Sequence, residues 1–160
     1  MGLGVKGTCE EAANELQLVE FRTDVIDFSA AHAEMPLHGH LTDGYGIHDA
    51  YVIFRNDCSG AVGAITVSIG HYVLTAAGVK VSKTAGSIVN AQALSETKVA
   101  GEIQKLSIET TLAAKGPRGR SSARIAAPFS IYATWAEGTN TAEGVIVLRL
   151  RKLDNKYKTV

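Results

Sequence analysis

The clearest pattern in the chain is an alternation of apolar and polar side chains, which is strongest in residues 46–70. Two alternating runs flank a polar, glycine-containing turn at residues 56–60, and their apolar positions are Ala50, Val52, Phe54, Ile65, Val67 and Ile69. A period of two is typical of a strand with one buried and one solvent-exposed face. We therefore expect a β-hairpin, or two neighbouring strands, in this part of the chain.

Further segments repeat the period of two and predict additional strands. The longer ones are residues 18–28, 105–112, 124–135 and 145–150, and shorter apolar runs occur at residues 72–74 and 79–81. In the first segment the apolar side is formed by Val19, Phe21 and Val25. The polar residues 137–141 suit a hairpin turn between the last two strands.

Two segments have a mixed pattern. Residues 30–45 are rich in glycine and histidine and predict a long connection containing one short edge strand, whereas residues 86–94 fit either a strand or a loop. The chain as a whole has about seven to nine strands at spacings of roughly ten to fifteen residues, with almost no helix. This pattern predicts an all-β fold, either a β-sandwich or a jelly roll.

The N-terminal residues differ from the rest of the chain. Thr8 is followed three residues later by Glu11, which is the spacing of a capping box and predicts a short helix near residues 9–16. Such arms often reach a neighbour in an assembly, so Thr8 and Glu11 are candidate interaction residues. We expect three parts: an arm with the helix at residues 1–17, a β-sandwich domain at 18–153 and a polar tail at 154–160.

Composition and length fit one globular domain. The chain has 160 residues, of which 46% are apolar and 20% are charged. It contains no run of 18 apolar residues and no basic N-terminal region followed by an apolar one, so we expect neither a membrane span nor a signal peptide. The two cysteines, Cys9 and Cys58, lack CxxC spacing, so we expect free thiols.

The formal net charge is zero, but the charges are unevenly distributed along the chain. Residues 1–57 hold ten acidic and three basic side chains, whereas residues 58–160 hold six acidic and thirteen basic ones. Folding could interleave the two halves and cancel this asymmetry. Alternatively, the folded surface has an acidic side and a basic side, through which identical copies dock side by side.

Histidines are concentrated near the middle of the first half. His38 and His40 are separated by one residue, which on a strand places both rings on one face, and His48 follows. Imidazole pairs of this kind bind zinc, iron or copper in cupins, which are jelly-roll proteins. The glutamate that cupins carry after the pair is missing, with Asp43 its nearest substitute, and no later glycine-rich histidine motif occurs. The alternative is that these histidines make local hydrogen bonds or subunit contacts, so we expect no metal and no cofactor.

No motif of a serine hydrolase, a P-loop or a zinc protease is present, so we expect no catalytic residues. The strongest charge feature is a basic segment on glycines and a proline, which predicts an exposed loop. Its cations are Lys115, Arg118, Arg120 and Arg124. The loop is either merely solvated or meets an acidic protein surface. A near-neutral isoelectric point and the lack of aromatic residues in the loop weigh against nucleic acid.

Two long segments carry a resemblance to a known group of proteins. They are residues 48–70, HDAYVIFRNDCSGAVGAITVSIG, and residues 123–153, ARIAAPFSIYATWAEGTNTAEGVIVLRLRKL. Together with the N-terminal arm, the layout over residues 18–153 resembles small β-sandwich virion proteins of tailed bacteriophages, of the capsid decoration or cement type.

The resemblance implies a structural function without catalysis. It implies that copies form a homo-oligomer, taken as a trimer, and bind the major capsid protein or other virion subunits. It also implies a location in the virion after assembly in the host cytoplasm, with neither nucleic acid nor membrane as a partner. Three alternatives stay open: a phage tail or neck component, a cupin-like metal-binding jelly roll, and a carbohydrate-binding β-sandwich. The exposed aromatics of the last would come from Tyr45, Tyr51, Tyr72 and Tyr132.

Overall fold

The computed structural model describes residues 18–30, 34–41, 45–57, 65–94, 98–109, 128–136 and 142–152. These residues form nine strands. The strands are β1 (Leu18–Arg22), β2 (Ile26–Asp27), β3 (Met35–Leu41), β4 (Tyr45–Phe54), β5 (Thr66–Leu74), β6 (Lys80–Ala93), β7 (Ile103–Leu106), β8 (Phe129–Ala136) and β9 (Glu143–Lys152).

The strands form two antiparallel sheets. Sheet A has the order β1-β9-β4-β7, with β2 also paired to β9, and sheet B has the order β3-β8-β5-β6. Apart from the short β2, the strands pair from the ends of the chain inwards: β1 with β9, β3 with β8, β4 with β7, and β5 with β6. These nested pairs alternate between the two sheets, which is the topology of a jelly roll. The predicted all-β fold is confirmed.

One hydrophobic core fills the space between the sheets. The six apolar positions of the segment 46–70 are completely buried, which confirms the alternation on β4 and β5. Trp135 of β8 lies on the inner face, with its ring edge-on to Phe28 at a centroid distance of 6.0 Å. Its indole Nε1 donates a hydrogen bond to the carbonyl oxygen of Ala30, at 3.0 Å. The buried indole therefore keeps a polar partner.

The predicted hairpin in residues 46–70 is wrong. β4 belongs to sheet A and β5 to sheet B, so these two strands do not pair with each other. The hairpin predicted between the last two strands is wrong for the same reason, because β8 lies in sheet B and β9 in sheet A. The alternation of side chains determines which face of a strand is buried but not which strand it pairs with. The actual hairpin is β5–β6, where the amide of Thr75 donates to the carbonyl oxygen of Val79.

The first predicted strand is interrupted, and its inward residues change. Thr23 leaves the strand: its amide donates to the carbonyl oxygen of Ile146, and its hydroxyl accepts a hydrogen bond from the Ile146 amide, each at 3.0 Å. As a result Val25 is half exposed, and Ile26 and Phe28 take the inward positions instead. The prediction of Val25 as a core residue is therefore wrong.

The remaining strand predictions are mostly confirmed. The short edge strand expected in residues 30–45 is β3, at the edge of sheet B, and residues 86–94 belong largely to β6. The strand expected at residues 105–112 is shifted, since β7 covers only Ile103–Leu106. The predicted helix near residues 9–16, the tail at 154–160 and the turn at 137–141 lie outside the described residues. Among the described residues there is no helix long and apolar enough to cross a membrane.

Strand β6 carries a bulge opposite Ser68. Val67 pairs with Gln92 and Ile69 with Val89, so Asn90 and Ala91 together oppose the single residue Ser68. The backbone of Ala91 has a φ of 43°, in the left-handed region, and its amide donates to the Ser68 hydroxyl at 2.9 Å. A bulge of this kind favours glycine, because a Cβ atom is strained at positive φ.

Gly70 of β5 allows a close approach between strands. A Cβ atom at this position would lie 2.6 Å from the carbonyl oxygen of Thr84 and 2.6 Å from the hydroxyl oxygen of Tyr132. The first of these atoms belongs to the backbone of β6, so relief would require the strand itself to shift. Gly70 therefore sets the spacing at which β6 and the Tyr132 ring pack over β5.

We expect the substitution Gly70→Ala to lower the free energy of unfolding by about 1–3 kcal/mol, because the added methyl group overpacks this contact. Urea unfolding followed by circular dichroism measures the change. The matched control is Gly39→Ala, since a Cβ atom at Gly39 meets no heavy atom within 4 Å. Equal effects of the two substitutions would contradict the assigned role of Gly70.

We expect Ala91→Gly to raise the free energy of unfolding by about 0.5–1 kcal/mol. Removing the Cβ atom relieves a strain of about 1–2 kcal/mol in the left-handed backbone of Ala91. The greater conformational entropy of glycine in the unfolded chain offsets part of this gain in stability. Ala93→Gly, on the same strand without a positive φ, should instead destabilise by about 0.5–1 kcal/mol. The same urea titration distinguishes the two, and a loss of stability in both variants would argue against strain at Ala91.

Candidate functional site

The outer face of sheet B carries a compact group of polar and aromatic side chains, which we call the Tyr72–Tyr132 cluster. Tyr72 comes from β5 and Tyr132 from β8, and these two strands pair directly. On β8 the neighbours of Tyr132, Ile131 and Ala133, are buried in the core. Lys80 and Lys83 come from β6, where Lys83 is the cross-strand partner of Tyr72. Glu34 immediately precedes β3. Side chains from four segments of the chain therefore meet on one face.

The two rings and the carboxylate are in direct contact. The rings of Tyr72 and Tyr132 are tilted at 46° with centroids 5.0 Å apart. The Tyr72 hydroxyl donates to both carboxylate oxygens of Glu34, at 2.9 and 3.0 Å. The ammonium of Lys83 forms an ion pair with the same carboxylate. Glu34 thus receives hydrogen bonds from both β5 and β6 and connects the start of β3 to them.

The two lysines also lie over the aromatic rings. The Nζ atom of Lys80 is 4.1 Å from the centroid of the Tyr72 ring, and that of Lys83 is 5.0 Å from the centroid of the Tyr132 ring. Such cation–π contacts are attractive because the ring face is electron-rich. Within the described part of the chain, Lys80 makes no ion pair with a carboxylate. The cluster therefore presents one ammonium group that an aromatic ring, rather than a carboxylate, holds in place.

These contacts change the acid–base properties of the cluster. The hydrogen bond from Lys83 lowers the pKa of Glu34, and the bond from Tyr72 contributes in the same direction. The same carboxylate raises the pKa of Lys83. Desolvation raises the pKa of Tyr72 and of Tyr132. These directions favour a charged Glu34–Lys83 pair and two neutral phenols at neutral pH.

A small pocket opens beside the cluster. It has a volume of about 240 Å³ and lies between the two rings and the β3 residues Pro36 and His38. Drug-sized ligands occupy pockets of roughly 300–1,000 Å³, so this one is sized for a side chain. Tyr132, which lines it, is almost completely buried, and its hydroxyl has no hydrogen-bond partner in the described residues.

The outer face of sheet A is different, because its principal charges pair with one another. Arg149 of β9 makes two hydrogen bonds with the carboxylate of Asp49 on β4, and its guanidinium lies 5.4 Å from the centroid of the Tyr51 ring. On β1, Arg22 forms an ion pair with Glu20 at 2.6 Å. These two arginines thus already hold carboxylate partners.

The structure separates the histidines that the sequence singled out. His38 and His40 lie on β3 in sheet B, whereas His48 lies on β4 in sheet A. The ring of His38 packs against Phe21 with centroids 4.5 Å apart, and its Nδ1 accepts a hydrogen bond from the His40 amide at 3.2 Å. Among the described residues, no group of three or more His, Cys, Asp or Glu side chains could hold a metal ion. The hydrogen bond between His38 and the His40 amide agrees with the alternative that these histidines make local hydrogen bonds.

The predicted interaction residues cannot be located relative to this site. Lys115, Arg118, Arg120, Arg124, Thr8 and Glu11 all lie outside the described residues. Conversely, no motif or spacing in the sequence pointed to Glu34, Lys80 and Lys83. The available signal was the outward position of Tyr72 and Tyr132 on predicted strands, which places two aromatic rings on the outer face of a sheet.

Comparisons with known proteins give a fold but no family. No protein-family model matches the chain, and no curated protein matches its sequence. A chain in the structure "Capsid of Ralstonia phage GP4" matches with a TM-score of 0.51 and 13% identity, over 88% of this chain and 87% of that chain. The structure of infectious bursal disease virus Gx strain contains a chain with a TM-score of 0.41 and 11% identity, over 88% of this chain and 33% of that chain. The Gt strain gives a TM-score of 0.40 and 10% identity, over 86% of this chain and 38% of that chain.

The match to the phage capsid chain covers most of both chains, so the two share a fold over most of their lengths. The resemblance to virion proteins that the sequence predicted is confirmed at the level of the fold. At an identity of 13%, the function of an individual residue cannot be transferred from that chain to this one.

We expect Glu34→Gln to destabilise the protein at pH 7 and to lose this effect in acid. The pKa of Glu34 is lower in the folded than in the unfolded chain, so the carboxylate stabilises the fold above its ordinary pKa of 4.5. The stabilisation declines as the pH falls through the lower, folded value. Urea unfolding of both proteins between pH 7 and pH 3 measures the difference.

A double-mutant cycle with Lys83→Gln tests the cause of this effect. Since Lys83 is the main origin of the lowered pKa, the pH-dependent difference should shrink when Lys83 is absent. A difference between wild type and Glu34→Gln that stays constant down to pH 3 would contradict the described ion pair.

Proposed function

We propose that the chain is a structural virion protein that binds and cements neighbouring capsid subunits, as a capsid decoration protein. Its partners are the major capsid protein or other virion subunits, and its copies associate with one another, taken as a trimer. It joins the virion during assembly in the host cytoplasm. In this function it performs no catalysis and requires no cofactor.

The observation that carries this proposal is the shared fold with a chain of a phage capsid. The likeness covers 88% of this chain and 87% of that one, so the same jelly roll accounts for most of each. Jelly rolls also occur in lectins and cupins, so the fold by itself is compatible with several functions.

The outer surfaces add support, because they carry the residue types that dominate protein interfaces. Tyrosine and arginine are enriched at interface hot spots, and both sheets present tyrosine rings with cations above them. Large apolar side chains are also exposed beside them: Val79 and Val81 near the β5–β6 turn, and Ile103 on β7. Repeated over many copies, several weak contacts of this kind give avidity.

The proposal predicts a discrete oligomer that binds capsids. The native mass of the purified protein is measured by native mass spectrometry at low and high salt, and the protein is then sedimented with capsids of the encoding phage assembled without it. We expect an oligomer, saturable co-sedimentation, and capsids that disrupt at a higher temperature once coated. Because charged surfaces take part, high salt should weaken the association.

Other outcomes would overturn the proposal. A monomer that does not sediment with capsids contradicts it, and binding to isolated tails or necks in place of capsids would assign the chain to those parts. Stoichiometric zinc or iron in the purified protein, lost in a His38→Ala/His40→Ala variant, would favour the cupin-like alternative.

A further inference from the structure

We propose that the Tyr72–Tyr132 cluster is a docking site for the acidic N-terminal segment, residues 10–15, of a second copy of this chain. The inference rests on the proposed assembly function and names one contact within it. The segment is EEAANE, with Glu10, Glu11 and Glu15 and no basic residue.

The charge of the cluster favours an acidic partner. Lys83 forms an ion pair with Glu34, whereas Lys80 interacts with this carboxylate only at longer range, makes no ion pair with a carboxylate of the described residues and lies against the Tyr72 ring. A carboxylate brought to Lys80 would complete the second ion pair of the cluster. The cation–π contact already restricts the lysine side chain, so less conformational entropy is lost when the partner binds.

The shape of the site favours a protein side chain over a small ligand. The pocket of about 240 Å³ is below the usual range for drug-sized ligands. A sugar needs an open aromatic face, but Lys80 lies over the ring of Tyr72 and Tyr132 is almost completely buried. A glutamate side chain can lie at the opening of the pocket and place its carboxylate against the ammonium group of Lys80, which lines the pocket.

The position of β1 makes the segment available. Residues 1–17 precede Leu18 of β1, and Phe21 of the same strand contacts His38, which lines the pocket. Glu15 lies three residues and Glu10 eight residues before Leu18, so an extended chain carries them up to about 10 Å and about 26–29 Å from it. The segment can therefore reach the cluster of a copy that packs directly against this edge of the domain.

The test is carbodiimide cross-linking of the full-length protein, which joins a carboxylate to an amine in direct contact. Equal amounts of ¹⁵N-labelled and unlabelled protein are mixed, exchanged and cross-linked, and the products are mapped by mass spectrometry. We expect links from Lys80 or Lys83 to Glu10, Glu11 or Glu15 with hybrid isotope masses, which only contacts between copies can produce. Links of unmixed mass alone would place the segment on its own domain and overturn the proposal, as would their absence.

Charge reversal gives an independent measurement of the same contact. Self-association of Lys80→Glu, measured by analytical ultracentrifugation, should weaken by about two- to fivefold or more, the range of exposed ion pairs. Lys105→Glu is the matched control, since Lys105 is an exposed lysine on β7 in sheet A. The double variant Lys80→Glu/Glu11→Lys should recover part of the loss. Equal weakening by both single variants, or no recovery, would contradict a specific contact.

Failure of this inference can be distinguished from failure of the proposed function. If Lys80→Glu still sediments with capsids and no hybrid cross-links form, the docking site is wrong and the virion function stands. If hybrid cross-links form but neither wild type nor variant binds capsids, the docking site stands and the virion function is wrong.

Discussion

Strand β9 is the element on which sheet A depends, because three other described strands pair with it. It is bonded to β4 on one side and to β1 and β2 on the other. Its inner residues Ile146, Leu148 and Leu150 are completely buried. The last described strand thus holds the first in place, and among the nested pairs of described strands only β5–β6 is local in sequence. Pairings between distant segments are slow to form, since the intervening chain must first be ordered.

The buried faces of the strands could be predicted from the sequence, but their partners could not. Val52 of β4 and Val67 of β5 illustrate the first point, because both lie on the apolar side of the alternation and both are completely buried. A period of two is a local property, whereas the choice of partner strand depends on residues far along the chain, such as Ile146 opposite Val52. The misplaced Val25 has a similar origin, because the hydroxyl of Thr23 captures the Ile146 amide and ends the first strand early.

The candidate site was harder to predict for a related reason. Glu34, Tyr72 and Lys83 are far apart in sequence and meet only because β3, β8, β5 and β6 lie side by side. No spacing rule links residues brought together in this way. The histidine pair, by contrast, had a recognisable spacing. In the structure, however, His38 accepts a hydrogen bond from the His40 amide and packs against the Phe21 ring. His48 lies in the other sheet.

The two outer faces differ in how their charges are satisfied, and this difference bears on assembly. On sheet A, Arg149 is held by Asp49 and Arg22 by Glu20, so a partner would have to compete with existing pairs. Exposed pairs of this kind add little stability, and displacing one for another gains little affinity. On sheet B, Lys80 is held by a ring that does not neutralise its charge. A carboxylate can therefore approach Lys80 without breaking an ion pair of the described residues, whereas at Arg149 or Arg22 it would have to break one.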